Sequence, residues 1–233
     1  MTIPHTAMVF AAGRGTRMRH LTDSTPKPLI KVHGKTLLDH ALDRVREADV
    51  PRAVINTHYQ ADQIATHLAA VNTPKIEISH EQSACLETGG GIRHAQGLLG
   101  TDPILTLNAD AVWTGPNPLI ACLTAWQPDK MDALLLLTRI ENATGHKGKG
   151  DFSLDAQMRP IRRGNADTAP FVYVGAQIIK PATVYDHAED VFSLNVIWDQ
   201  LIARGTLFAA VFDGGWCDVG QPESIPLAEA LLS

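Results

Sequence analysis

Apolar residues in the first 138 positions come in two rhythms. Thr6–Phe10, Ala53–Asn56, Ile76–Ser79, Pro103–Leu107 and Ala133–Thr138 are short, largely apolar runs. Strands covered on both faces read this way. Between the runs, Leu37–Ala48 places Leu38, Ala41, Leu42 and Val45 at helical spacing, and 61–70, 91–99 and 119–126 read as further helices. Strand and helix in alternation predict an α/β fold. The expected form is a Rossmann-like, mostly parallel sheet with helices on both faces, binding its ligand outside the carboxyl ends of the strands.

The rhythm changes after Thr138. Residues 139–168 are polar, glycine-rich and broken, and Phe171–Ile179 then alternates as a strand. A helix over 193–203, a strand over 207–212 and a closing helix over 222–232 follow. The expected organisation is one domain over 1–233. Residues 1–138 form its ligand-binding part, 139–190 a small lobe inserted beside the sheet, and 191–233 the closing elements.

Composition narrows the class. At 233 residues, 45% hydrophobic and 19% charged, the chain can bury a full core. No apolar run approaches the roughly 20 residues that span a bilayer, and the first residues lack a basic leader, so no membrane association and a cytoplasmic location are expected. Three widely spaced cysteines, Cys85, Cys122 and Cys217, match no zinc pattern and suit a reducing compartment. A formal net charge of −5 argues against a nucleic-acid coat.

Against that background the segment GRGTRMRHLTDSTPKPLIKVHGK, residues 13–35, stands apart. It carries Arg14, Arg17, Arg19, Lys27, Lys31 and Lys35 against the single acid Asp23. It follows the first strand directly, where a ligand is expected. A dinucleotide fingerprint needs a third glycine, and Met18 stands in its place; a P-loop pattern is absent. Gly13 and Gly15 leave the backbone free to approach a triphosphate, with Arg17 and Lys27 converging on it. Pro26 and Pro28 stiffen the chain around Lys27. A solvated basic turn is the bland alternative.

Other stretches are weaker alone. LETGGGI, residues 86–92, is a strand-to-helix turn with Thr88 as a candidate N-cap. Asp110 follows a buried strand at its carboxyl end, and either a turn or a ligand explains it. Asp218, in GGWCDVG, taken alone is an ordinary structural aspartate beside packed Trp216 and Val219. Gly148–Phe152, GKGDF, reads equally well as a surface turn. No histidine pair has metal-site spacing; His80 and His146 could edge a pocket, but surface histidines are the better reading.

The stretch FAAGRGTRMRHLTDSTPKPLIKVHGKTLLDH resembles the opening motif of the sugar-1-phosphate nucleotidylyltransferases, with His20 and Thr36 departing from its usual prolines. The resemblance runs from Met8 to about Leu232. It implies the nucleotide-diphospho-sugar transferase fold, with the lobe binding sugar. It also implies transfer of a nucleoside monophosphate from an NTP to a sugar-1-phosphate, releasing pyrophosphate. LETGGGI together with GKGDF resembles the N-acetylmuramate α-1-phosphate uridylyltransferase subgroup, which implies UTP and cell-wall sugar recycling. Mannose-1-phosphate guanylyl transfer and glucose-1-phosphate nucleotidylyl transfer remain as alternatives, as does a non-catalytic sugar-nucleotide sensor. By resemblance Arg17, Lys27 and Asp110 are catalytic, with Arg17 stabilising the leaving pyrophosphate. Ala11, Ala12, Gly13, Arg14, Gly15, Thr16, Lys27, Glu81, Thr88, Gly89, Gly90 and Asn108 would bind nucleotide. Gly150, Asp151 and Gly175 would bind sugar, and Asp110 and Asp218 would hold Mg²⁺. Oligomeric state is open, and a monomer is compatible with all of this.

Overall fold

A computed structural model describes residues 3–233. Its elements, in chain order, are β1 (Thr6–Phe10), α1 (Leu37–Glu47), β2 (Arg52–Thr57), α2 (Ala61–Leu68), β3 (Lys75–His80) and α3 (Glu87–His94). Then come β4 (Ile104–Asn108), β5 (Ala111–Thr114), α4 (Pro118–Ala125), β6 (Ala133–Arg139), β7 (Phe152–Leu154) and β8 (Pro160–Arg162). The chain closes with β9 (Phe171–Ile179), α5 (Leu194–Arg204), β10 (Leu207–Val211), β11 (Gly215–Asp218) and α6 (Ile225–Leu232). Among the described residues no helix is long and apolar enough to cross a membrane.

The main sheet runs β8-β7-β9-β4-β1-β2-β3, with β6 pairing the far edge of β9 and β10 pairing β6. Strands β3, β2, β1 and β4 are parallel neighbours, as their buried runs predict. The β6 run is also apolar, yet its neighbour β9 is antiparallel to both β4 and β6. Periodicity reports how many faces a strand buries, not the direction of its neighbour. The expected lobe over 139–190 is therefore not set wholly beside the sheet. Its last strand, β9, runs through the centre, and β7 and β8 extend that sheet outward.

Two apolar layers cover the sheet. One contains Leu38, Leu42, Ile55, Leu107 and Ile178; the other contains Met8, Ile92, Leu135, Phe152 and Leu201. Helix ends follow local chemistry. The Thr36 side chain accepts from Asp39 N at the start of α1, and Asn117 accepts from Leu119 N and Ile120 N at the start of α4. Helix α5 ends on Gly205 in the left-handed region, at φ 72°.

One small sheet has no forecast in the apolar pattern. β11 lies antiparallel to β5 and parallel to Ala143–Thr144. Its strands are four residues or shorter. Its register pairs Asp218 with Ala111, and Val219 N donates to Asp110 O at 2.9 Å. This pairing brings two aspartates that are remote in sequence to one place.

Candidate active site

The site forms above the carboxyl ends of β1, β2, β3 and β4. Polar side chains tie those ends together. Asn56 Oδ1 accepts from Ala11 N at 2.8 Å, Asn56 Nδ2 donates to Glu81 Oε1 at 2.7 Å, and Glu81 Oε2 accepts from Leu86 N at 2.8 Å. Glu81 is only 1% exposed. Its carboxylate is committed to this brace, which joins the first loop to the second glycine turn. The expected contact of Glu81 with a base or ribose is corrected accordingly: it acts through the loops it holds.

Beyond the brace lies a cavity lined by Ala11, Ala12, Gly13, Lys27, Thr88 and Asp110, with Asn56, Cys85 and Asn108 also on its wall. Gly15 has φ +64°, and a Cβ there would sit 2.7 Å from the Lys27 Cβ. Glycine is required because Lys27 passes against it. Lys27 is 7% exposed and donates through Nζ to Asp110 Oδ2 at 2.8 Å.

Arg14 and Thr16 face elsewhere. They line a shallow outer cavity with Arg19, Asp23 and Tyr59, and the Arg14 guanidinium lies 5.5 Å over the Tyr59 ring. Gly89 and Gly90 are buried inside α3, and both N–H groups donate to Phe192 O, at 2.9 and 3.1 Å. The expected helix start at 91 and the N-cap at Thr88 give way to a helix beginning at Glu87, preceded by Leu86 without a side-chain cap. The Thr88 hydroxyl instead accepts from Leu194 N, at the start of α5 (2.9 Å). So of the expected nucleotide set, Ala11, Ala12, Gly13, Lys27, Thr88 and Asn108 line this cavity. Glu81, Gly89, Gly90, Arg14, Gly15 and Thr16 do not.

A second cavity opens on the other side of Asp110. Arg17, Asp110, Asp218, Asp151 and Gly175 line it, together with His146, Arg162, Asn195, Trp198 and Trp216. Asp110 and Asn108 belong to both walls, so the two cavities meet there. Gly175 has φ +78°, and a Cβ would sit 3.0 Å from Asn108 Cβ. It makes room for the asparagine at the junction. Asp151 Oδ2 accepts from Tyr173 N at 2.9 Å, which orients the carboxylate. Gly150, expected at the sugar, is buried at φ +85°, where a Cβ would overlap Ala169 O. It shapes the loop and does not line the cavity. Arg162, Asn195 and Trp198 escaped the sequence reading because no motif spacing marks them.

Asp218 and Arg17 face each other beside Gly220. A Cβ on that glycine would lie 3.0 Å from Asp218 Oδ2 and 3.2 Å from Arg17 Nη1. Burial pushes the Asp218 carboxyl above its ordinary value and Asp110 pushes it further, while Lys27, Arg17 and His146 oppose the rise. Two carboxylates held together at partial burial suit a cation. Among the described residues no three His, Cys, Asp or Glu side chains gather to enclose one. A pair of carboxylates is compatible with Mg²⁺, which keeps waters and takes phosphate oxygens beside one or two carboxylates.

The raised Asp218 carboxyl gives the fold a pH dependence. From the ordinary 3.8 upward to the raised value, the folded chain binds more protons than the unfolded chain. Metal-free protein should therefore lose stability as pH rises through that window. Asp218→Asn should flatten the slope of Tm against pH. Mg²⁺ at neutral pH should raise the Tm of the parent chain, by about 2.7 kcal/mol of stability at a hundredfold excess over Kd. A parent Tm that ignores both pH in this window and Mg²⁺ would refute the paired-carboxylate site.

The model of the MobA-like NTP transferase domain matches residues 7–150. The N-acetylmuramate α-1-phosphate uridylyltransferase of Caulobacter vibrioides is 42% identical over 99% of this chain and 98% of its own. That of Neisseria meningitidis serogroup B is 36% identical, over 97% of each chain. The inositol-1-phosphate CTP transferase from T. maritima superposes with a TM-score of 0.82 at 14% identity, covering 99% of this chain and 96% of that one, a likeness of fold. A family match across more than half the chain, with relatives aligned nearly end to end, settles the lineage: this chain is a nucleotidyltransferase belonging to the MobA-like NTP transferase family.

Proposed function

We propose that the chain transfers the uridylyl group of UTP to N-acetylmuramate 1-phosphate, giving the UDP-sugar and pyrophosphate. The observation that carries this reading is the shared wall. Asp110, held by Lys27, stands between a cavity under the glycine loop and a second cavity lined by Asp151 and Gly175. The nucleotide would occupy the first and the sugar the second, so the two phosphates meet at Asp110. The names of the two relatives above supply the base and the sugar.

The sugar phosphate oxygen is already a nucleophile, so the chain needs no nucleophile of its own. What the reaction needs is alignment of two anions and neutralisation of charge at the α-phosphorus. Asp110 and Asp218 are the residues that would hold Mg²⁺, which when bound supplies Lewis-acid polarisation of phosphate oxygens. Lys27, locked by Gly15 and its flanking prolines, holds a positive charge at the junction. Arg17 lines the sugar side beside Asp218. Its role is therefore assigned to phosphate at the junction rather than to the leaving pyrophosphate alone. Asn108 and Thr88 position the nucleotide, and Asp151 accepts from sugar hydroxyls.

Pyrophosphate release from a grid of UTP, CTP, GTP and dTTP against several sugar-1-phosphates tests the reading. UTP with N-acetylmuramate 1-phosphate should turn over fastest, and only with a divalent cation. Faster turnover of GTP with mannose 1-phosphate would replace this assignment by guanylyl transfer.

A further inference from the structure

The sugar-side cavity carries three cationic or potentially cationic side chains, Arg17, His146 and Arg162. Arg17 and His146 both lie in the field of Asp218, on the side where phosphate is held. Arg162 comes from β8, at the outer end of the main sheet. Its guanidinium sits 4.9 Å from the Phe152 ring centre and 5.6 Å from that of Trp198. Cation–π contact with the two rings and hydrogen bonds at its nitrogens hold the group in place.

Those nitrogens are only partly committed. Nε donates to Asp199 Oδ1 at 2.7 Å, Nη1 to Asn195 Oδ1 at 2.8 Å and Nη2 to Asn195 O at 2.9 Å. Each terminal nitrogen retains a second hydrogen. The Asp199 side chain is 61% exposed, and Arg162 is its ion-pair partner. A solvated carboxylate thus rests on a pre-oriented arginine beside a cavity whose own acids are Asp110, Asp151 and Asp218. A ligand carrying a further negative charge on its ring would be repelled there unless a cation met it.

From this geometry we infer that Arg162 determines sugar specificity by binding a carboxylate carried on the sugar ring, with Asp199 as the resident carboxylate that the ligand displaces. The inference rests on the proposed muramate substrate, whose ring bears a lactyl ether ending in a carboxylate. Exchange of one carboxylate for another conserves charge at the arginine, and the planar fork accepts the newcomer through two parallel hydrogen bonds. Released into water, Asp199 is solvated at little cost because it is already largely exposed.

The test is the ratio of kcat/KM for N-acetylmuramate 1-phosphate to that for N-acetylglucosamine 1-phosphate, which lacks only the lactyl group. Arg162→Met should lower the ratio between about tenfold and a hundredfold, expressed in KM for the acidic sugar. Arg162→Lys, which keeps charge but loses the fork, should restore part of it. Asp199→Asn, which removes the competitor, should lower KM for the acidic sugar severalfold. A parent enzyme that prefers the acidic sugar, with a ratio unchanged in Arg162→Met, overturns the assignment and leaves the substrate reading standing. An unchanged or raised KM in Asp199→Asn overturns the displacement. A parent enzyme with no preference between the two sugars overturns the assignment and the substrate reading together.

Discussion

Asp110→Asn is expected to lower turnover about a thousandfold, roughly 4 kcal/mol of transition-state stabilisation, with little change in folding. Asparagine has the shape of aspartate and keeps an oxygen to accept from Lys27 Nζ, so the 2.8 Å contact can persist. It lacks the charge that would hold a divalent cation where the two cavities meet. The loss should fall mainly on kcat, because the charge acts on the phosphorus during transfer. Combining Asp110→Asn with Asp218→Asn is the sharper experiment. If both carboxylates serve one ion, the second substitution should add little to the first. Losses that multiply would show that the two act independently. An Asp110→Asn enzyme with near-parental turnover in Mg²⁺ would remove the proposed centre altogether.

Gly90→Ala should lower stability by about 2 kcal/mol, or roughly 6 °C in Tm, although helix propensity alone favours alanine by about 1 kcal/mol. Three successive glycines in α3 should weaken that helix. They are kept because the chain over 190–192 runs directly across it. A Cβ on Gly90 would overlap Asp190 O, and one on Gly89 would overlap the Phe192 ring. A Cβ on Gly91 would lie 3.0 Å from Glu81 Oε1 and 3.0 Å from Asn56 Nδ2. The crossing segment has little freedom to retreat, since Phe192 O accepts from both Gly89 N and Gly90 N, and Arg93 pairs with Asp190. Overpacking against backbone therefore outweighs propensity. Gly97→Ala is the control: Gly97 lies in the short helix Gln96–Leu99, and a Cβ there would meet nothing within 4 Å, so alanine should hold or raise Tm. Thermal unfolding of both variants decides the matter, and a Gly90→Ala chain at or above the parental Tm would sink the packing argument.

Legibility varied with the range of the interaction. β1 and β9 have the bounds read from the apolar pattern, and the other expected strands and helices differ mostly by a residue or two. α3 departs most, because the glycines that argue against a helix locally are excused by the segment packed on it. Within the site, the first loop was readable because its chemistry is contiguous: Gly13, Gly15 and Lys27 lie within fifteen residues. Asp151 and Gly175 line the second cavity where the motif suggested. Glu81 is taken up by the brace and Gly150 shapes its loop away from the cavity, because a matched position does not fix what the residue there contacts. Arg162 has no local signature, being defined by rings and acids from β7 and α5.

By itself, the sequence determined the parallel half of the sheet, the helices flanking it and the cationic loop after the first strand. Those follow from side-chain burial and backbone freedom within a few residues. Only the tertiary structure decided that β9 runs antiparallel through the sheet, that Asp218 lies beside Asp110, and that Glu81 braces loops. Strand direction, the register of a four-residue sheet and the facing of a buried carboxylate are set by contacts between distant segments, and hydrophobic periodicity carries no record of which segments will meet.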